Sequence, residues 1–351
     1  MRAPTASRSA NAKYSTESLS KERVRIGISA CLLGDEVRYD GGHKRDDFLA
    51  DRLARFVTFV RVCPEVEIGL GTPRDPIRLV RAGGALRLVN PKTGDDHTDA
   101  MTRYAARRVR EIAALDLSGY VLKKNSPSCG MERVKTYDTK GVPAKSGSGL
   151  FARALLDALP DLPVEEEGRL LDSDLRENFL TRVFVYRRLR DVFAGADAGA
   201  DPPRRWTIGD LVRFHTAIKL LLFAHEPRAY ESLGRLVAGA KSRARSPIAA
   251  EYARTLMAAL ARVPTRRRHV NVLQHMAGYF TDRIDADARA ELAGVIVEFR
   301  RGEIPLEAVL TLVRHHVRTH GIDYLTGQIY LEPYPKGLAR GIGRESRIPR
   351  T

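Results

Sequence analysis

Cysteine is scarce in this chain, with three in 351 residues. So few exclude a disulfide-built scaffold, and an odd number cannot all pair, so a reducing, cytoplasmic setting is expected. No apolar run approaches the ~20 residues that a membrane span needs, and no membrane partner is expected. The first 22 residues, rich in Ser, Arg and Ala, lack the apolar core of a secretion signal. What is present is ordinary globular material. Hydrophobic residues make up 43% and charged residues 29%, which argues against a disordered chain. At roughly 150 residues per domain, the length predicts two domains.

Acidic residues are the other shortfall, 43 Asp and Glu against 59 Lys and Arg, for a net charge of +16. The excess is uneven. Residues 24–202 hold 29 basic and 27 acidic side chains, whereas residues 203–351 hold 25 and 14. The preference for Arg over Lys can follow genome composition, so only the sign carries meaning. It predicts a polyanionic partner for the second half, nucleic acid first, with the protein itself expected as a monomer.

Residues 1–23 read as a disordered basic arm. VRIGISA (24–30) and VTFVRVC (57–63) are short, apolar and β-branched, hence buried strands. DDFLADRLARF (46–56) has helical periodicity, and LRLVN (86–90) reads as a short strand before a turn. A helix from about Asp99 to Leu115 leads to a third core strand, GYVLK (119–123). A loop to about Gly149 and a helix at 150–158 follow. Strands alternating with helices predict an α/β, Rossmann-like domain at 24–166 with a mostly parallel sheet. Residues 167–202 read as a connecting helix (175–193) and a small-residue linker, AGADAGADPP (194–203). Only helical patterns occupy 203–335, an all-α second domain, and 336–351 is a basic, flexible tail.

The three cysteines follow this order. Cys31 comes directly after the first strand, Cys63 ends the second, and Cys129 follows the third by a short loop. Ligands of open parallel sheets collect outside the carboxyl ends of the strands, so the three thiols are expected at one sheet edge. Three thiolates suit a soft metal. On tetrahedral zinc they leave one position open; on a [4Fe–4S] cluster they leave one iron without a protein ligand. Either opening permits chemistry on a bound substrate. The plainer reading, three separate core thiols, does not explain why each one follows a strand.

The segments CLLGDEVRYDGGHK (31–44), CPEVEIGLGTPRDPIRL (63–79) and KKNSPSCG (123–130) resemble the thiouracil and tRNA 4-thiouridine desulfidase family. LVRFHTAIKLLLFAHEP (211–227), VNVLQHMAGYF (270–280) and DYLTGQIYLEPYPK (323–336) resemble a helical domain often fused to it. The combination resembles the two-domain, tRNA-acting branch. The resemblance implies that Cys31, Cys63 and Cys129 hold a [4Fe–4S] cluster with one iron lacking a protein ligand. It also implies a redox-neutral reaction, in which water replaces the sulfur of 4-thiouridine in tRNA to give uridine and hydrosulfide.

Some group must activate that water. Glu65, two residues after Cys63, is the first candidate; Ser126 is the second and Ser128 a lesser one. In purely structural roles, Glu65 would pair with Arg74 or Arg78 and Ser126 would cap a turn. Arg38, Tyr39, Asp40, Lys44 and Asn125 are candidates for shaping the pocket or binding substrate, and Arg74 for gripping a phosphate bidentately. A lone loop histidine such as His43 is usually just solvated.

In the second half, residues 241–268 carry eight basic side chains and one acidic. Lys241, Arg243 and Arg245 at one end of a predicted helix, and Arg266, Arg267 and Arg268 at the other, are the candidate RNA contacts. His215, His225, His275, His315 and His316 lack metal-binding spacing, and Trp206, Tyr279 and Tyr330 read as core. Two competing functions remain at this point. One is desulfuration of free thiouracil or thiouridine monophosphate in salvage, which needs no basic surface. The other is an RNA-binding protein with a structural zinc, which needs a fourth ligand from His43 or Asp40.

Overall fold

The computed structural model describes residues 24–194 and 205–339; the arm at 1–23, nearly all of the linker, and the tail from 340 lie outside the described residues. The described chain divides into two compact units, one on residues 24–186 together with 337–339 and one on Arg187–Lys336. No helix among the described residues is long and apolar enough to cross a membrane.

The first unit contains β1 (Arg25–Ser29), β2 (Thr58–Val62), α1 (Pro64–Glu67), β3 (Arg78–Ala82), β4 (Ala85–Val89) and α2 (Thr98–Ala114). It continues with β5 (Leu117–Leu122), β6 (Val134–Tyr137), β7 (Pro143–Gly147), α3 (Leu150–Ala158) and β8 (Val164–Glu166), followed by α4 (Ser173–Ala194). The main sheet has the order β2-β1-β5-β8 and is parallel throughout. β5 is buried along its whole length and β1 at all but its first residue, as strands covered on both faces must be. Close packing here dictates glycine. A Cβ on Gly27 of β1 would lie 2.2 Å from the Tyr120 ring of β5. The unit is α/β with a parallel sheet, as expected.

A second sheet, in the order β4-β3-β6-β7, is formed by two antiparallel hairpins joined through a parallel β3–β6 pair. β6 and β7 occupy a stretch expected to be loop, and β3 one to which the sequence assigned no element. They lack a continuous apolar run: β7 is exposed at four of five positions, and β3 carries Arg78 and Arg81. The helix expected at 46–56 is instead a π turn (Phe48–Arg52) running into a 3₁₀ turn (Leu53–Arg55). Its periodicity was real, since Leu49 and Leu53 are both buried.

The second unit is helical throughout its described residues: α5 (Ile208–His225), α6 (Pro227–Ala238), α7 (Arg245–Leu260), α8 (Arg266–Ala277), α9 (Ala286–Arg301), α10 (Leu306–His320) and α11 (Asp323–Thr326). A final turn, α12 (Lys336–Ala339), ends the described chain. A reciprocal capping box between Thr207 and Asp210 starts α5. Two histidines meet buried tyrosines: buried His215 Nδ1 lies 3.1 Å from the Tyr252 hydroxyl, and half-buried His269 Nδ1 2.8 Å from that of Tyr330. Trp206 and Tyr330 are core residues as expected, but Tyr279 is 37% exposed.

Candidate active site

In the main sheet, β1 is flanked by β2 on one side and β5 on the other, and the three cysteines emerge where these strands end. Cys31 sits in a 3₁₀ turn, Ala30–Leu33, and its carbonyl accepts the N–H of Lys44 at 2.9 Å, which folds the following loop back over the sheet edge. Cys63 precedes α1 and donates its N–H to Glu67 Oε1 at 3.0 Å; the other Glu67 oxygen accepts from the Tyr104 hydroxyl at 2.8 Å. Cys129 lies in a tight turn whose N–H groups, at Ser128 and Cys129, donate to Ser126 Oγ at 3.2 and 3.0 Å. Gly149 seals this turn. A Cβ there would lie 2.4 Å from the Ser128 carbonyl oxygen and 2.8 Å from Cys129 N.

All three thiols are free and line one cavity of about 390 Å³. Burial pushes the Cys31 thiol up to about 11, and the neighbouring Cys63 adds to the rise while Lys123 and Arg38 oppose it. Burial likewise raises Cys63 and raises Cys129 well above the usual thiol range, with Glu65, Cys63 and Cys31 adding to the latter. The three thiols are thus within electrostatic reach of one another. Such a set stays protonated alone and deprotonates when it binds a cation.

An all-sulfur donor set fits an iron–sulfur cluster. Among the described residues, no three His, Cys, Asp or Glu side chains close up as the shell of a single metal ion would. His43 and Asp40, the extra ligands a zinc would need, do not line the cavity. His43 Nδ1 instead accepts the Arg45 N–H at 3.2 Å.

Glu65, Arg38, Tyr39, Lys44, Asn125 and Ser126 line the cavity beside the thiols. Glu65 is held on two sides. Arg74 donates to Oε2 through Nη2 at 2.6 Å and Nε at 3.1 Å, and the Ser126 hydroxyl lies 3.3 Å from Oε1. Asn125 takes a left-handed conformation (φ +60°), which its short amide side chain tolerates.

Three expected roles need correction. Arg74, expected to grip a substrate phosphate, is 7% exposed and spends its remaining Nη1 donors on the carbonyls of Val37 (3.0 Å) and Gly71 (2.8 Å). Asp40 points away from the cavity: it pairs with Arg38 at 3.2 Å and accepts the Gly42 N–H at 3.2 Å, its side chain 47% exposed. Ser128 is fully buried, does not line the cavity, and its hydroxyl finds no partner among the described residues. Its carbonyl instead accepts N–H groups from the first turn of α3.

Two cavity residues escaped the sequence reading. Lys123 ends β5's run and is paired with Glu167. Ser29, the last residue of β1, accepts the Lys123 N–H at 3.0 Å and works against the rise of the Cys129 thiol. Both sit at strand carboxyl ends, the rule that singled out the cysteines and that applies equally to them.

In the helical unit, Lys241, Arg243 and Arg245 are exposed beside the start of α7, with Arg243 paired to Glu251 at 2.6 Å. Arg266, Arg267 and Arg268 open α8, and two of them brace the fold. Arg266 donates to the Phe299 carbonyl at 2.6 Å and lies over the Phe299 ring, and Arg268 donates to the His225 carbonyl. Arg267 stays exposed.

Residues 26–167 match the family described as 2-thiouracil desulfurase, and residues 219–335 match a family described as a protein of unknown function (DUF1722). The uncharacterized protein YbgA of Escherichia coli (strain K12) is 34% identical over 131 residues, 37% of this chain and 78% of that protein. The uncharacterized protein YbbK of Bacillus subtilis (strain 168) is 31% identical over 141 residues, 38% of this chain and 90% of that protein. A solved structure of the [4Fe–4S]-dependent thiouracil desulfidase TudS is 34% identical, with a TM-score of 0.34, covering 42% of this chain and 93% of that one. The chain belongs to the 2-thiouracil desulfurase family and couples that domain to a DUF1722 region.

Proposed function

We propose that the protein is a [4Fe–4S]-dependent desulfidase that removes sulfur from 4-thiouridine in tRNA, giving uridine and hydrosulfide. The observation that carries this reading is the meeting of three free thiols with a tethered carboxylate, Glu65, in one cavity. The family's description supplies the substrate class, a thiolated pyrimidine. The basic excess of residues 203–351, with Lys241, Arg245 and Arg267 exposed, supports tRNA over a free nucleotide.

Cys31, Cys63 and Cys129 would hold the cluster, which when bound supplies an iron without a protein ligand, a Lewis acid toward sulfur. Glu65 takes a proton from water as the water attacks the ring carbon, and returns it to the departing sulfur. Carbon–sulfur double bond and water thus become carbonyl and hydrogen sulfide, with no net electron transfer. Arg74 and Ser126 hold the Glu65 carboxylate in one orientation through that exchange. Lys123 and Arg38 offset the negative charge that three thiolates bring into a buried site. Lys44 and Asn125 are left to meet the polar atoms of the nucleoside.

The test offers anaerobically prepared protein, carrying about four irons and four sulfides per chain, both thiolated tRNA and free 4-thiouridine monophosphate. Loss of the 4-thiouridine absorbance from tRNA, with release of hydrosulfide, is expected. Turnover of the free nucleotide alone would move the function to salvage. Zinc in place of iron would remove the enzyme reading.

A further inference from the structure

Tyr252, Tyr330 and Tyr334 of the helical unit are buried, the first two with their hydroxyls against His215 and His269. Tyr279, in the turn after α8, and Tyr324 of α11 instead meet at the surface. Tyr279 and Tyr324 are stacked, with ring centroids 4.9 Å apart and planes within 15°. His275 packs edge-on against Tyr279 at 5.7 Å. Tyr230 of α6 rests against Phe223 at 5.6 Å and has the Lys219 ammonium 5.7 Å above its ring. Tyr279, at the outer end of this stack, is 37% exposed.

A tyrosine recruited only for core packing hides its ring. Here two rings are pre-stacked, so the exposed ring is held rigid by the one beneath it and little conformational freedom is lost when something settles on it. Flat aromatic surface beside cations is how proteins hold single-stranded nucleic acid: bases stack on rings and the backbone follows the positive charge. The surrounding half of the chain supplies that charge, with 25 basic against 14 acidic residues from 203 to 351.

We propose that the Tyr279–Tyr324 stack is a platform for an unpaired RNA base, an inference that rests on the tRNA reading above. Stacking is indifferent to base identity, because every base has a π face, so the platform secures an unpaired nucleotide without reading sequence. Its contribution is not ionic. It therefore differs from a phosphate contact in its response to salt.

The test measures affinity for tRNA, and for a short single-stranded oligoadenylate carrying one 2-aminopurine, over a range of salt concentrations. Tyr279→Ala is expected to weaken both about 10-fold at every salt concentration, the scale of one lost base–aromatic stack, leaving the salt slope unchanged. Tyr279→Phe, which keeps the ring, should bind within about threefold of wild type, and this rescue separates stacking from a folding defect. The 2-aminopurine fluorescence should be quenched on wild type and Tyr279→Phe but not on Tyr279→Ala. Equal binding by wild type and Tyr279→Ala would overturn the platform and leave the patch to a protein partner. A Phe variant as weak as the Ala variant would also overturn it. If wild type holds the oligonucleotide but leaves the thiouridine of tRNA intact, the platform stands and the tRNA desulfidase reading falls.

Discussion

Arg74 grips a single oxygen of Glu65, with Nη2 at 2.6 Å and Nε at 3.1 Å from Oε2, while Nη1 is tied to the carbonyls of Val37 and Gly71. Glu65 is thereby fixed to two loops of the polypeptide and not merely to its own rotamer. The second carboxylate oxygen, Oε1, faces the Ser126 hydroxyl. The carboxylate is therefore held in one orientation.

Replacing Glu65 by Gln keeps its size but removes its capacity to take a proton. Turnover should fall by ~10²-fold or more with iron content unchanged. Arg74→Lys cannot reproduce the planar fork and should also lose activity, about tenfold or more. Steady-state kinetics beside an iron assay on the same samples decides both. An unchanged rate for Glu65→Gln would return this residue to a structural role.

Serine at Cys31, Cys63 or Cys129 should abolish both the brown colour and turnover, because all three thiolates come from separate loops and none has a substitute in the cavity. The measurement is the visible spectrum with iron and sulfide counts. Full cluster content in any one variant would exclude that cysteine as a ligand.

Ser126 and Ser128 should behave oppositely. Ser126→Ala removes an acceptor for two backbone N–H groups and the hydrogen bond to Glu65. It should lower turnover and cost about 1–3 kcal/mol of stability. Ser128→Ala deletes a buried hydroxyl that has no partner among the described residues, so stability should stay equal or rise slightly, with turnover retained. Denaturant melts and rates on the two variants make the comparison.

Changing Lys241, Arg245 and Arg267 together to Ala should weaken tRNA binding and flatten its log–log salt dependence by roughly two units, at about 0.7 to 0.9 per phosphate released. Affinity measured at several salt concentrations is the check. A slope equal to wild type would mean these charges are merely solvated. Arg266→Ala should act differently, lowering thermal stability through the lost Phe299 contacts.

Burial lowers the pKa of both His215 and His269 to about 4, against about 6.5 in an unfolded chain. The unfolded state therefore binds more protons in between. Stability from the neutral rings is complete above about pH 6.5 and drains away as pH falls toward 4. Thermal unfolding at pH 7 and pH 5 should show a lower midpoint in acid, and replacing both histidines should reduce that difference.

The main sheet and the cysteines were legible because buried parallel strands are continuous apolar runs, and a residue just past such a run has a known place. Of the second sheet only β4 was, since β7 is largely polar and β6 pairs with β3, more than fifty residues earlier. Ser126 and Ser128 differ by two positions in a tight turn, and no periodicity tells which one faces the cavity. The charge of Arg266 and Arg268 was plain from the sequence, but their use on the carbonyls of Phe299 and His225 requires knowing which helices lie alongside. Glu165, Glu166 and Glu167 carry no apolar periodicity that would announce burial. They are buried, and they fasten Arg169, the Met131 N–H and Lys123.

The parallel pairing of β1 with β5 has a bearing on biosynthesis. Cys31 and Cys63 leave the ribosome early, yet the strand that completes their side of the sheet ends at Leu122, and Cys129 lies beyond it. The Cys129 turn is sealed by Gly149, and the loop just past it is tied down by Glu166, so both come later still. A nascent chain interrupted before Cys129 therefore carries two thiols without the third, and one interrupted between Cys129 and β8 carries all three without the Glu166 contact that ties down the loop after the third.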